Sequence, residues 1–222
     1  MTIDLHIAPL YSYRTINSTN PLWDGILVNK LDSIEQPNTG LSFGFSYEIS
    51  LTKKFHIATG LDRTSLSEKT VRNFIYFNEN LQPIEYSETL YNKYQYIGIP
   101  LQITFNVISN SHWDIGFIGS IRLDILTKHD VERYSLRNDN SLSSWKYNNW
   151  ALSSSAGVHF EYGLKRISFY INPVYYRYLT ANAEYNFVNN TGYLNDNADT
   201  EINQHNYYFC ATVGIKYRIN NR

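Results

Sequence analysis

Twelve ionisable side chains fall at every-second-residue spacing among small and polar neighbours: Asp4, His6, Glu48, His56, Asp62, Asp114, Arg122, Asp124, His159, Glu161, Lys216 and Arg218. Acids, bases and imidazoles gathered in one set could exchange protons with a substrate, hold a metal or form a charge network. Their spacing favours the network. Asp114, Gly116, Ser120, Arg122 and Asp124 alternate with Trp113, Ile115, Phe117, Ile121, Leu123 and Ile125, and a period of two puts such sets on opposite faces of a strand. Hydrolysis would need a nucleophile with a base in reach. His159 and Glu161 share a face, but no metal-ligand spacing stands out and His129-Asp130 falls in a polar, loop-like segment. No catalytic, cofactor or metal site is therefore expected. Buried charges persist when paired, so the twelve are expected to pair with one another. A sharper alternative is a pH-responsive plug around His56 and His159, since histidine titrates near neutrality.

The same alternation defines the elements that carry these groups. In the final strand Tyr207, Phe209, Ala211, Val213, Ile215, Tyr217 and Ile219 oppose Tyr208, Cys210, Thr212, Gly214, Lys216 and Arg218. The first sets Ile3, Leu5, Ile7, Pro9, Tyr11 and Tyr13 against Thr2, Asp4, His6, Ala8, Leu10 and Ser12. Similar stretches begin near Thr39, Phe55, Tyr96, Trp113, Trp150 and Ile167, making eight. Three connections are tight, around Thr52 and Lys53, around Asn110 and Ser111, and at Gly163 to Lys165. Four are long and polar: roughly Arg14 to Asn38, Ser67 to Leu90, Thr127 to Asn148 and Leu179 to Gln204. Short turns alternating with long loops predict an all-β fold, an eight-stranded antiparallel up-and-down transmembrane β-barrel. The loops would be extracellular and the turns periplasmic, in a single domain over residues 1–222.

Composition narrows the function classes. A net charge of −1, without a basic stripe, argues against nucleic acid as a partner. Aromatic residues make up 16% of the chain, and a single Cys excludes an internal disulfide framework. The longest apolar runs span only a few residues, so no helix could cross a bilayer and a membrane reading must rest on strands. Met1 to Ile7 lack a basic n-region and an apolar h-region, which leads us to expect an export signal already removed or upstream in a longer parent.

Alternation alone does not say which face is outside, because a soluble lipocalin-like barrel alternates too, with its apolar set inward. Three features favour lipid outside: the apolar sets are nearly unbroken, Tyr and Trp gather near strand ends, and charges keep to the other register. Arg63 and Arg177 share the apolar parity but lie toward the long-loop ends, where headgroups could receive them.

Over essentially its whole length the chain resembles the PorT-like outer-membrane β-barrel proteins of Bacteroidota. Tyr11-Ser12-Tyr13-Arg14, Tyr96-Ile97-Gly98-Ile99-Pro100-Leu101 and Gly214-Ile215-Lys216-Tyr217-Arg218 carry the likeness. It implies a Gram-negative outer membrane and an accessory or structural role. Family members commonly end the last strand in an aromatic residue, where this chain has Ile219 and then Asn220-Asn221-Arg222. Outer-membrane lipid, and other envelope proteins, are the expected partners. Loop aromatics Trp23, Tyr76, Phe77, Tyr86, Trp145, Tyr147, Tyr185, Phe187 and Tyr193 are candidate recognition residues, by the mix of aromatic anchors and polar groups seen at interfaces. The expected function is a non-enzymatic barrel with a side-chain-filled lumen. Two alternatives stay open: a lipid-modifying enzyme like the lipid A deacylases or acyltransferases, though no histidine here shows the deacylase His-x-Ser pairing, and a soluble ligand-binding barrel.

Overall fold

A computed structural model describes residues 1–18, 35–77, 82–134, 146–181, 183–187 and 200–219. Eight long strands dominate: β1 Thr2–Ser18, β2 Asn38–Ser50, β3 Phe55–Phe77, β4 Pro83–Ser109, β5 Trp113–Tyr134, β6 Trp150–Leu164, β7 Ile167–Tyr178 and β8 Thr200–Arg218. Each pairs antiparallel with its successor. β8 returns to β1, from Thr2 opposite Arg218 to Ser18 opposite Ile202. The ring is closed, so none of its strands presents an unpaired edge. Three short strands, Glu35–Gln36, Lys146–Tyr147 and Ala183–Phe187, add to the long-loop end.

The apolar register points outward. Phe43, Ile103, Phe117 and Val213 are 51%, 44%, 61% and 39% exposed, whereas Glu48, Arg122 and Lys216 are 6%, 2% and 5% exposed. A soluble barrel requires the reverse. Exposed Trp113 and Tyr217 mark the short-turn border of the apolar band, and exposed Tyr11, Trp150 and Tyr175 mark the other. Not every aromatic joins these girdles: Tyr94, Tyr96, Tyr170, Tyr178 and Tyr208 are buried inside the ring.

The strands run further than alternation indicates. The segment expected as a loop from Ser67 to Leu90 is mostly ladder, with β3 and β4 paired from Ser67 opposite Lys93 to Phe77 opposite Pro83. β5 likewise continues through Thr127 to Tyr134 against β4. Past the hydrocarbon the outer face of a strand meets water, so its residues need not be apolar and the apolar/polar code lapses, while the inward set, Glu68, Thr70 and Tyr94 among it, stays buried and backbone pairing persists. The tight turns fall as expected. The Thr52 hydroxyl accepts from the Lys54 and Phe55 backbone N–H groups, and the Asn110 carboxamide oxygen does the same for His112 and Trp113. At the β6–β7 turn Lys165 takes φ 50°, the left-handed region.

Candidate functional site

Inward parity on eight strands brings residues far apart in sequence to one axis, where three layers of contacts form. At the short-turn mouth the Lys216 ammonium lies 2.8 Å from both Glu48 and Glu161. His159 stands 3.3 Å from Glu161 and sets its other ring nitrogen 2.8 Å from the Asn172 oxygen. His56 sits 3.6 Å from Glu48 and contacts Ser50 and Asn106. Arg218 differs from the expectation that it belongs to the interior. As the last residue of β8 it lies at the rim, half-exposed, 3.5 Å from Glu161 and 4.0 Å from Asp114, because the wall ends there.

The middle layer is a plug. His6 bridges Asp4 at 3.1 Å and Asp62 at 3.0 Å, while Ser46 and Tyr170 each donate to Asp4 at 2.9 Å. Arg122 reaches Asp124 at 2.8 Å and Asp62 at 3.7 Å, with its guanidinium facing the rings of Tyr176 and Tyr208. Two glycines make this arrangement possible. A Cβ on Gly44 would fall on the Asp62 carboxylate and against His6, and one on Gly98 would meet Arg122 and Asp124 at 2.9 Å. The structure brings Asp4, His6, Asp62, Arg122 and Asp124 together here, and Glu48, His159, Glu161 and Lys216 at the short-turn mouth.

A third layer lies outside the twelve. Arg14 donates to Glu68 at 3.3 Å, to Gln204 at 2.9 Å and to Thr70 at 3.1 Å, and the Tyr94 hydroxyl donates to Glu68 at 3.0 Å. Apart from Tyr94, these residues sit in segments expected as loops. Parity, counted past the apolar run, would have found them: Arg14 continues Ser12, Glu68 continues Asp62, Thr64 and Leu66, and Gln204 precedes Asn206 and Tyr208 in the inward set. Above the apolar band His129 packs against both Tyr94 and Tyr147, with centroids at 4.9 and 3.9 Å, and those two rings touch each other at 5.6 Å. Burial there holds its imidazole below the usual histidine range, and Asp130 opposes the shift in part.

A polar cavity of about 560 Å³ opens at the short-turn mouth beside His56, His159, Glu161 and Lys216. In the middle layer only about 40 Å³ remains, among Ala8, Ser42, Ala58, Ile118 and Arg122. That is room for about one water. Among the described residues no group of three or more His, Cys, Asp or Glu is placed to hold a metal ion.

The loop candidates fare differently. Tyr147 packs against Tyr94 and His129, and the Lys146–Tyr147 strand that carries it pairs with Ala183–Phe187. Tyr76, Phe77 and Tyr86 lie in the β3–β4 ladder, and Tyr185 and Phe187 in the short strand beside β8. Trp23, Trp145 and Tyr193 lie outside the described residues.

With closure, outward apolar wall and charged interior in place, the architecture is decided. The chain is a membrane-type β-barrel. Its sequence matches no family model and no curated protein. Among solved structures it is similar to the outer membrane protein OprG from Pseudomonas aeruginosa, at 11% identity over 98% of this chain and 96% of that one, with a TM-score of 0.48. It is similar also to the outer membrane protease OmpT from Escherichia coli, at 11% identity over 98% and 97% with a TM-score of 0.47. A third is Ail, the attachment invasion locus protein of Yersinia pestis, at 10% identity over 96% and 99% with a TM-score of 0.31. Likenesses this remote carry no argument about activity, substrate or partner.

Proposed function

We propose that the chain is a non-enzymatic barrel of the Gram-negative outer membrane, with a lumen filled by its own side chains. In this reading its loops or lipid-facing wall serve a structural, accessory or partner-docking role. One observation carries the reading: the acids and bases that could do chemistry are committed to one another inside the ring, around a middle layer with about 40 Å³ of free space. The asymmetry of short turns and long loops, with both ends of the strand order at the short-turn side, supports an outer-membrane address. The PorT-like resemblance fits the same role. Its segments Tyr96-Ile97-Gly98-Ile99-Pro100-Leu101 and Gly214-Ile215-Lys216-Tyr217-Arg218 run along β4 and β8, where Gly98 makes room for the plug and Lys216 joins the mouth layer. Outer-membrane lipid and other envelope proteins are the partners this reading calls for.

The alternative is a lipid-modifying enzyme, which would need its reacting groups where an acyl chain can approach. His159 and Glu161 face the lumen instead. The test is fractionation with the outer membrane, faster gel migration when unboiled, and planar-bilayer recording. We expect no stepwise conductance between about pH 5 and 8, the range over which histidine titrates. Lipid A profiles should match with and without the protein. Discrete conductance steps, or a change in lipid A acylation, would overturn the proposal.

A further inference from the structure

We propose that the outer wall of the barrel, where β7, β8 and β1 meet, carries a binding site for a phosphorylated lipid headgroup of the leaflet at the long-loop end. The site is built on Arg177, Tyr175, Tyr207 and Tyr13.

Arg177 and Tyr207 are direct partners across the β7–β8 ladder, and Tyr207 and Tyr13 are direct partners across β8–β1. One cross-strand row therefore holds a guanidinium and two phenols. The Arg177 guanidinium stands 5.7 Å from the Tyr207 ring centroid, and Tyr207 stacks on Tyr13 at 5.4 Å with planes 8° apart. Stacking fixes the cation against the wall instead of letting it extend into water. Tyr175, one inward-outward step below Arg177 on β7, accepts from the Tyr13 hydroxyl at 3.5 Å, and Tyr207 accepts from the Thr15 hydroxyl at 3.3 Å. The Tyr175 and Tyr207 hydroxyl hydrogens thus remain to be donated, beside the five N–H groups of the guanidinium. No described carboxylate pairs with Arg177, whereas Lys93 and Lys128 outside the band each have one. Across the β6–β7 ladder its partner is the small Ser154, so no bulky side chain closes that flank.

Position supplies the rest. Below the row the outward residues are apolar: Ile171 and Pro173 on β7, Phe209 and Val213 on β8, Pro9 on β1. The donors lie where acyl chains give way to headgroups, so a lipid can set its phosphate on the guanidinium and phenols while its chains run down the wall. Arg and phosphate form charge-assisted, bidentate hydrogen bonds that a neutral headgroup does not match. Arg63 provides the contrast. It shares the outward register but donates to Gln95 at 3.0 Å and stands between Phe43 and Ile97 in the ladder, with no phenol beside it.

The experiment uses the refolded barrel in nanodiscs of phosphatidylcholine containing a minor fraction of phosphatidic acid, with native mass spectrometry reading the lipid that stays bound on release. We expect preferential retention of phosphatidic acid. Arg177→Gln should lower it about tenfold, as loss of a charge-assisted contact does, and Tyr207→Phe, which keeps the stacking, about threefold. Arg63→Gln should leave it unchanged. Heat-dependent gel mobility checks folding of each variant, and if Arg177→Gln fails to fold, Tyr207→Phe alone decides. Equal retention of the two lipids, or an Arg63→Gln loss matching that of Arg177→Gln, would overturn the site. Displacement of phosphatidic acid by inorganic phosphate at equal phosphate concentration would show a free-anion site and overturn the lipid assignment. None of these outcomes depends on whether the loops dock a partner.

Discussion

Replacing Arg122 by Met should destabilise the barrel by about 3–5 kcal/mol, the cost of leaving a buried charge without its partner. The guanidinium is 2% exposed, 2.8 Å from Asp124 and 3.7 Å from Asp62. At an effective dielectric constant near 20, unit charges at those separations attract by about 6 and about 4.5 kcal/mol. The two contacts are not equally missed. Asp62 keeps His6 at 3.0 Å, whereas Asp124, fully buried, is left with no cation among the described residues and with neutral hydroxyls, that of Ser153 at 3.0 Å. Met retains much of the stem that lies beside the stacked Tyr176 and Tyr208 rings and needs no desolvation, which offsets part of the Coulomb loss. The loss therefore belongs almost wholly to Asp124. The paired variant Arg122→Met with Asp124→Asn removes both charges and should return to within about 1 kcal/mol of the parent. Equilibrium urea unfolding in detergent micelles, followed by tryptophan fluorescence, measures both through midpoint and slope. A single-variant loss below about 1 kcal/mol, or a paired variant no more stable than the single one, would refute the idea that this ion pair forms the plug.

Three further outcomes test other parts of the structure. Phe117→Arg, in the middle of the outward band at 61% exposure, should cost about 2–4 kcal/mol in refolding titrations into vesicles; an unchanged titration midpoint would mean that this wall does not meet hydrocarbon. Lys165→Gly should raise unfolding stability by about 1 kcal/mol, since the left-handed conformation at φ 50° strains a side chain that glycine lacks; a decrease in the urea midpoint would contradict it. His129 is held below the usual histidine range by burial, so the unfolded chain binds the extra proton and stability falls as the pH drops through roughly 6.5. His129→Phe, which keeps a ring against Tyr94 and Tyr147, should flatten that slope, as followed by thermal unfolding across pH.

The fold was legible because hydrocarbon imposes its pattern one residue at a time. Ile97, Ile99, Leu101, Ile103 and Phe105 must all face lipid, so their parity records both the strand and its outer side. The ionisable register was legible by the same rule, and Asp4, Glu48, Arg122, Asp124, Glu161 and Lys216 are inside as parity requires. Strand length was not. Beyond Ser67 and Thr127 the strands of the β3–β4–β5 wall leave the membrane, and water on the outer face removes the need for an apolar outward set, although Glu68 and Thr70 stay buried on the inner one.

What the amino-acid order determined by itself was therefore local: a period of two, short turns against long connections, and the face each side chain takes. Which inward groups meet was decided only by closing the ring. Lys216 finds Glu48 across 168 residues, and Arg14 finds Gln204 across 190. Those encounters depend on the register of every ladder between them and on the pairing of β8 with β1, and a one-residue slip in any ladder would turn a whole strand's charges outward.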